Sequence, residues 1–426
     1  MSDRAAAMDQ LNMRRSNLSL VLRELRKQPR SRAQLALDIN MTKGAVSSLV
    51  AELEDRLLLR ISSAGTPGTV GRPARDVSVV NSRALGLGIS LSVDYLVAAV
   101  VNLAGETIAR HEVPVHTPGL SAQDLTSAVV ELAQKVARKP PFGDPGVLLA
   151  GVAVGAPDLV DARSGTVRRS PTIGLTDFPL RRVLLGELQG LTRNIQVDND
   201  ANLAALAECR GGGSAAGVSN LVYLTGSTGI GGGIISEGRL FRGAAGYAGE
   251  VGHMVIDPRG SLCTCGSIGC WEAECGLEAF LVAAADEGDA VRDVRTPLDE
   301  RFDVVVSRAQ QGDLRTLAAV QKAGTSLGLG LSTLINVFNP DVIVLGGYFA
   351  KLFPFLIEPV RRTVHQRVMA ESLAGCRVLR SELGLYASAI GAAHFVIDQI
   401  ITNPTAVPFG EEGSARIKVP DLENAS

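Results

Sequence analysis

Four of the six cysteines in this chain fall within thirteen residues, Cys263, Cys265, Cys270 and Cys275, and His253 stands ten residues before the first. The pattern H-x9-C-x-C-x4-C offers three thiolates and an imidazole, a ligand set for a closed tetrahedral zinc site with no position left for a catalytic water. Clustered cysteines in a chain with no signal-peptide core point to metal before disulfide. Glycines 260, 266 and 269 allow the backbone to fold around one centre. Cys275, five residues past Cys270 in an expected helix, is an alternative ligand in place of His253. Cys209 and Cys376 are expected to be core thiols.

Carboxylates flank the cluster: Glu250 lies three residues before His253 and Glu272 two after Cys270. Elsewhere a short apolar run, Ile195–Val197, delivers Asn199 and Asp200 at its C-terminal end. Carboxylates accept hydrogen bonds from vicinal hydroxyls, an amide donates and accepts, and imidazole does either, so this set suits a sugar. Each carboxylate taken alone reads equally as a partner that orients a zinc ligand. Thr225–Gly233 holds five glycines with Ser and Thr hydroxyls and reads as a ligand or nucleotide loop.

The elements that must hold these residues alternate. Leu85–Ser92 and Tyr95–Leu103 read as strands, Leu120–Arg138 as a helix and Gly146–Val154 as a buried strand. Ala201–Cys209 reads as a helix, Asn220–Thr225 as a strand, Thr316–Phe338 as a long helix and Val342–Leu345 as a late strand running into Gly346-Gly347. This is an α/β body, apparently built twice, with glycines at strand ends where ligands bind. Composition agrees: 426 residues, 46% hydrophobic and 20% charged, exclude wholesale disorder. No apolar run reaches the roughly 20 residues of a membrane span, so a cytoplasmic protein is expected.

A near-neutral total hides a partition, because residues 1–75 carry a net charge of +6 and the remainder −8. In that basic head Leu18, Val21, Leu22 and Leu25 form one helical stripe ended by Pro29. Ser31-x-x-Gln34 is a capping box for a second short helix. Thr42 caps a third, with Val46, Leu49, Val50 and Leu53 on one face and Thr42, Lys43, Gly44, Ser47 and Ser48 on the other. Leu57–Ile61 and Asp76–Val80 flank a Gly/Pro-rich tip carrying Arg72 and Arg75. Three helices and a basic wing make a winged helix-turn-helix, which reads double-stranded DNA.

With these residues in view the chain resembles the ROK family, named for repressors, open reading frames and sugar kinases. Asp198-Asn-Asp-Ala-Asn202, Gly229-Ile-Gly-Gly-Gly233, Ala248-Gly-Glu-Val-Gly-His253 and Cys263-Thr-Cys-Gly-Ser-Ile-Gly-Cys-Trp-Glu272 look like the family's signature blocks. The head and Gly71-Arg-Pro73 look like its repressor branch. The resemblance implies a winged helix-turn-helix at 1–81, a two-lobed actin-like body at 82–200 and 201–402, and a tail at 403–426. It implies a sugar pocket of Asn199, Asp200, Glu250, His253 and Glu272, and structural zinc on His253, Cys263, Cys265 and Cys270. The partners it implies are operator DNA, a sugar effector and a second or further copies of the chain, as a homodimer or homotetramer. Kinases of the family carry D-x-G-G-T in the first strand turn, where this chain has Ser90-Leu-Ser-Val-Asp94. A branched side chain and a negative charge there oppose ATP phosphates, so a non-catalytic sensor is expected. An ATP-dependent sugar kinase with an appended DNA-binding head is the alternative, since Asp200, the base of such a kinase, is present.

Overall fold

A computed structural model describes residues 2–62, 75–369 and 375–410, with side chains described from residue 10 onward. The head begins with α1 (Ser2–Lys27), β1 (Arg30–Ser31), α2 (Arg32–Asp38) and α3 (Lys43–Asp55), followed by β2 (Leu59–Ile61) and β3 (Asp76–Val79). The expected stripes of α1 and α3 are buried against each other. Thr42 Oγ1 accepts from Ala45 N–H at 3.2 Å, the expected cap. Ser31 Oγ accepts from Gln34 N–H, but the Gln34 amide turns forward to Asp38 at 2.8 Å, so only half of the capping box forms. Arg30–Ser31 adds a third strand, in the order β1-β3-β2, which two residues show no periodicity to announce. The wing tip, with Arg72, lies outside the described residues; Arg75 is exposed at its edge.

The body continues with β4 (Ala84–Leu91), β5 (Tyr95–Asn102), β6 (Thr107–Pro114), α4 (Ala122–Ala137) and β7 (Leu148–Ala156). A small antiparallel flap follows: β8 (Leu159–Asp161), β9 (Thr166–Ser170) and β10 (Leu175–Phe178). Next come α5 (Leu180–Glu187), β11 (Ile195–Asn199) and α6 (Asp200–Cys209). The second half holds β12 (Leu221–Gly226), β13 (Ile230–Ser236), β14 (Arg239–Leu240), α7 (Trp271–Cys275), α8 (Leu277–Ala284), α9 (Leu298–Gln310) and α10 (Leu314–Phe338). It closes with β15 (Val342–Gly347), α11 (Tyr348–Lys351), α12 (Phe353–Arg367), β16 (Arg377–Arg380) and α13 (Ala387–Thr402). The two five-stranded sheets run β11-β7-β4-β5-β6 and β14-β13-β12-β15-β16. Each has three parallel strands and an antiparallel pair, the duplication expected from the alternating pattern.

Three features depart from what local patterns suggest. The glycine-rich Thr225–Gly233 segment is a hairpin whose loop is only Ser227–Gly229; Gly231, Gly232 and Gly233 are inside β13. They are glycine because α6 and the 249–251 turn pack directly on the strand: a Cβ at Gly233 would lie 2.7 Å from Ala205 Cβ, and one at Gly232 2.8 Å from the Gly249 carbonyl. Second, α13 packs on β4, β5, β7 and α6, so the last helix covers the first sheet although its sequence follows the second half. Third, Gly384–Thr402 does meet the length and apolarity of a membrane span, and 67% of it is buried inside the molecule as core helix. Local sequence fixes a helix's apolarity, not the surface that covers it.

The head is docked, not tethered, because one continuous cluster of buried side chains joins Leu22 and Leu53 to Ala205 and Ile397. Arg83, buried at the head–body joint, donates to the carbonyls of Arg56, just after α3, and of Gly146. Arg56 donates to the carbonyls of Thr405 and Val407 and lies 4.1 Å from the Phe409 ring. The segment after α13 is thus a strap on the end of the third head helix. Residues 411–426 lie outside the described residues.

Candidate functional site

Five stretches of chain converge on one cavity between the sheets: Pro157–Asp158, Asn199–Asp200, Thr225–Gly232, Gly249–His253 and Glu272. Asn199 is the N-cap of α6, its Oδ1 accepting from Asn202 N–H at 3.0 Å and its Nδ2 donating to the Asp158 carbonyl at 2.9 Å. Asp200 opens the helix, with Oδ1 accepting from its neighbour Ala201 N–H. Loss of hydration pushes its carboxyl up to about 7, with the charges of Asp158 and Glu250 adding to the rise. Burial likewise raises Glu250, aided by Asp158 and Glu272 and opposed by His253. Glu272 Oε2 accepts from Ile230 N–H at 3.0 Å, which fixes its carboxylate under the 227–229 turn. The cavity therefore presents Asp158, Asp200, Glu250 and Glu272 around Asn199, His253 and the Thr225, Ser227 and Thr228 hydroxyls.

The cysteine cluster forms the back of this cavity. The ligand atoms of His253, Cys263, Cys265 and Cys270 lie within 4.8 Å of one another. His253 Nδ1 is 3.7 Å from Cys263 Sγ, and the Cys265 and Cys270 sulfurs are 3.6 Å apart. A tetrahedral zinc with sulfur ligands at about 2.3 Å sets sulfur–sulfur separations of about 3.8 Å, so these residues fit a metal ion of that kind. Gly269, at φ +74°, lets the loop pass under the Asp257 carbonyl, where a Cβ would overlap it. The Ser267 N–H, aided by the Cys263 and Cys270 thiols, lowers the Cys265 thiol to about 7, close to the thiolate form a metal requires. Cys275 is buried in α7 and is not one of the four residues whose ligand atoms cluster, whereas His253 is. Cys209 is a buried thiol as expected, and Cys376 is half-buried.

Metal and cavity residues share elements. Glu250 caps the 3-10 turn Val251–His253, and Cys270 caps α7, in which Trp271 is fully buried and Glu272 follows. Each side of the cluster thus carries one cavity carboxylate within three residues.

Two groups that patterning did not reveal shape the site. Asp158, just after β7, has a left-handed backbone, φ +65°, and brings a fourth carboxylate. Arg242 forms a bidentate pair with buried Asp198 at 2.5 and 3.0 Å, bracing the end of β11. Asp158 follows Gly155-Ala-Pro157, and a turn after a buried strand was its one available signal. At Ser90–Asp94 the turn between β4 and β5 is tied to Thr117, whose Oγ1 donates to the Ser92 and Val93 carbonyls at 3.0 and 3.2 Å. The Asp94 carboxylate there lies 3.6 Å from His116 Nδ1.

On the head, Thr42, Lys43, Gly44 and Ser48 are exposed at the start of α3 and Ser47 is half-buried. A side chain at Gly44 would meet nothing within 4 Å, so this face of α3 is open.

From the pocket, α6 runs along α13, which in turn packs on α1 of the head. Beyond its last turn Arg210 pairs with Asp398 of α13 at 2.8 Å, and Asp398 lies 3.6 Å from Arg26 of α1. His394, one turn before Asp398, is fully buried with neither ring nitrogen hydrogen-bonded to the described residues, and burial lowers it to about 4.

Comparison with known proteins gives four likenesses. The sequence pattern that defines the ROK family matches residues 86–399. The chain is 30% identical over 399 residues to the xylose repressor of Bacillus spizizenii strain W23, covering 92% of this chain and 98% of that one. In structure it is similar to a ROK family transcriptional regulator described as a homologue of the E. coli MLC protein, with a TM-score of 0.75, 24% identity, and coverage of 92% and 97% of the two chains. It is also similar to a ROK family glucokinase from Streptomyces griseus solved with glucose and AMPPNP, with a TM-score of 0.61, 27% identity, and coverage of 73% and 98%.

Proposed function

The chain belongs to the ROK family, and from that membership we propose that it is a sugar-responsive transcriptional repressor acting in the cytoplasm without catalysing a reaction. Its sugar pocket is Asn199, Asp200, Glu250, His253 and Glu272. Structural zinc on His253, Cys263, Cys265 and Cys270 holds the pocket from behind and adds no Lewis-acid site, all four positions being filled by protein. With Nδ1 of His253 on the metal, the other ring nitrogen is left for a sugar hydroxyl. Thr42, Lys43, Gly44, Ser47 and Ser48 enter the major groove, and Arg72 and Arg75 take phosphates or the minor groove. A homodimer or homotetramer presents paired heads to a two-fold operator.

The observation that carries this reading is α6. Its N-terminus is in the pocket, and past its C-terminus Arg210 meets Asp398, which faces Arg26 of the head. A sugar that draws Asn199 and Asp200 toward Glu250 and Glu272 shifts a helix packed on α13, the helix on which the head leans. The ligand changes operator affinity by its differential binding to the two head positions. The test is a titration with neutral pentoses and hexoses, followed by calorimetry and by fluorescence of Trp271, the lone tryptophan. Operator binding is then measured with and without the sugar that binds. Sugar binding with no effect on operator affinity would overturn the repressor reading.

A kinase is the second reading, favoured by one observation: Asp200 is raised to about 7, where a general base works best. Against it stands the Ser90–Asp94 turn, where a branched Val93 side chain and the Asp94 charge replace the glycines and threonine of a phosphate loop. Sugar-dependent release of ADP from ATP, abolished in Asp200→Asn, would move the assignment to the kinase.

A further inference from the structure

The pocket's charge is lopsided. Among its lining residues stand four carboxylates and no lysine or arginine, and the one group able to be cationic, His253, has Nδ1 facing Cys263. Three of the four acids are members of the sugar-binding set already proposed. Asp158 is not, and its geometry differs from theirs. Its backbone is left-handed, a conformation Asp tolerates and most side chains avoid. Its Oδ2 accepts twice, from Ser170 Oγ at 2.7 Å and from Thr172 N–H at 3.2 Å, so the β9–β10 flap holds the carboxylate in one orientation. Its carbonyl is held by Asn199 Nδ2. Oδ1 makes no hydrogen bond to the described residues. A pinned carboxylate with one oxygen free, at the wall of a cavity, is an acceptor waiting for a donor.

We infer that Asp158 is a specificity-determining residue of this pocket: its free Oδ1 accepts from a hydroxyl or ammonium of the sugar, and with Asp200, Glu250 and Glu272 it restricts the effector to uncharged and amino sugars, excluding sugar phosphates and uronates. The inference rests on the sugar-pocket reading and goes beyond it by fixing the charge class of the ligand. The physical reason is direct. An anion entering a partly desolvated cavity lined by acidic groups meets repulsion with no lysine or arginine to compensate it, whereas an ammonium is attracted.

The experiment is calorimetry on the zinc-loaded full chain with matched ligands. They are D-xylose, D-glucose, D-mannose and D-galactose, the hexoses' amino derivatives at positions 2, 3 and 6, their 1- and 6-phosphates, and their uronates. The variant is Asp158→Asn, which keeps the side-chain shape, the tolerance for a left-handed backbone and an oxygen for Ser170 and Thr172. In the unaltered chain every phosphate and uronate binds at least 100-fold more weakly than its neutral parent, and at least one amino derivative binds more tightly than its parent. In Asp158→Asn both gaps shrink about tenfold while the neutral parent changes by less. A phosphate binding within tenfold of its parent, or gaps unmoved by Asp158→Asn in a protein of unchanged melting temperature, overturns the inference and leaves the sugar pocket standing. No binding by any neutral or amino sugar overturns the pocket itself and this inference with it.

Discussion

The turn at Gly229 gives the sharpest test of how the pocket is held together. A Cβ built on Gly229 would overlap Glu272 Oε2 and lie 2.9 Å from its Cδ and 3.6 Å from Oε1. Oε2 is the oxygen that accepts from Ile230 N–H at 3.0 Å. In Gly229→Ala the carboxylate must therefore swing away and that bond must break. Because the obstructing atom is the end of a flexible side chain, the fold can yield: the loss is one charge-assisted hydrogen bond, about 1.5–3 kcal/mol, partly offset by water reaching the freed groups. Melting should fall by only a few degrees, the response expected of a chain of this size to about 1–2 kcal/mol. Sugar binding loses a carboxylate acceptor outright, which at about 1.5–3 kcal/mol corresponds to roughly 10- to 150-fold weaker affinity. Operator affinity without sugar should not change, since Glu272 is remote from the head. Calorimetry with the effector sugar, a thermal melt and a zinc assay on the same preparation suffice. Sugar affinity within twofold of the unaltered chain would refute the argument that this turn fixes Glu272 for binding.

Three further outcomes follow from the same structure. Removing one zinc ligand, as Cys263→Ser, should lower bound zinc and weaken sugar binding at least tenfold, because His253 and Glu272 lose their common anchor; unchanged sugar affinity in a folded, zinc-free protein would separate the two sites. Asp200 is raised to about 7 from an ordinary 3.8, so between about pH 4 and 7 the folded chain keeps a proton the unfolded chain has lost. Stability therefore falls as pH rises through that window, and Asp200→Asn should flatten the fall and stabilise by about 2–4 kcal/mol at pH 8 but little at pH 4; equal melting shifts at both values would contradict the raised carboxyl. Asp398→Ala should leave sugar binding intact and operator binding nearly so, while cutting the sugar's effect on operator affinity several-fold, read by operator titrations with and without sugar. A full response would show that the link between α6 and α1 runs elsewhere.

Much of this protein was legible because its signals are local. Apolar residues three and four apart defined the head helices, and a Thr just before the third set its cap, since both depend only on neighbours within one turn. The Cys/His cluster was legible for the same reason: four side chains able to ligate, within eighteen residues and with glycines to fold them, close on themselves. Spacing could not decide between His253 and Cys275, because that depended on which side α7 turned the thiol. The glycines of β13 misled, since a glycine that admits a neighbouring helix looks in sequence like one that makes a loop. Asp158 belongs to the cavity only because β7 and β11 are paired, and Arg56 meets Val407 across 351 positions of chain. The sequence by itself determined the head helices, the strands that open each half and the compact Cys/His loop, because capping, periodicity and short spacing act within a few residues. Only the tertiary structure decided which carboxylates share one cavity, that the last helix covers the first sheet, and that α6 links the cavity to the head through α13. Those are long-range contacts, selected by the packing of whole surfaces and carrying no local pattern.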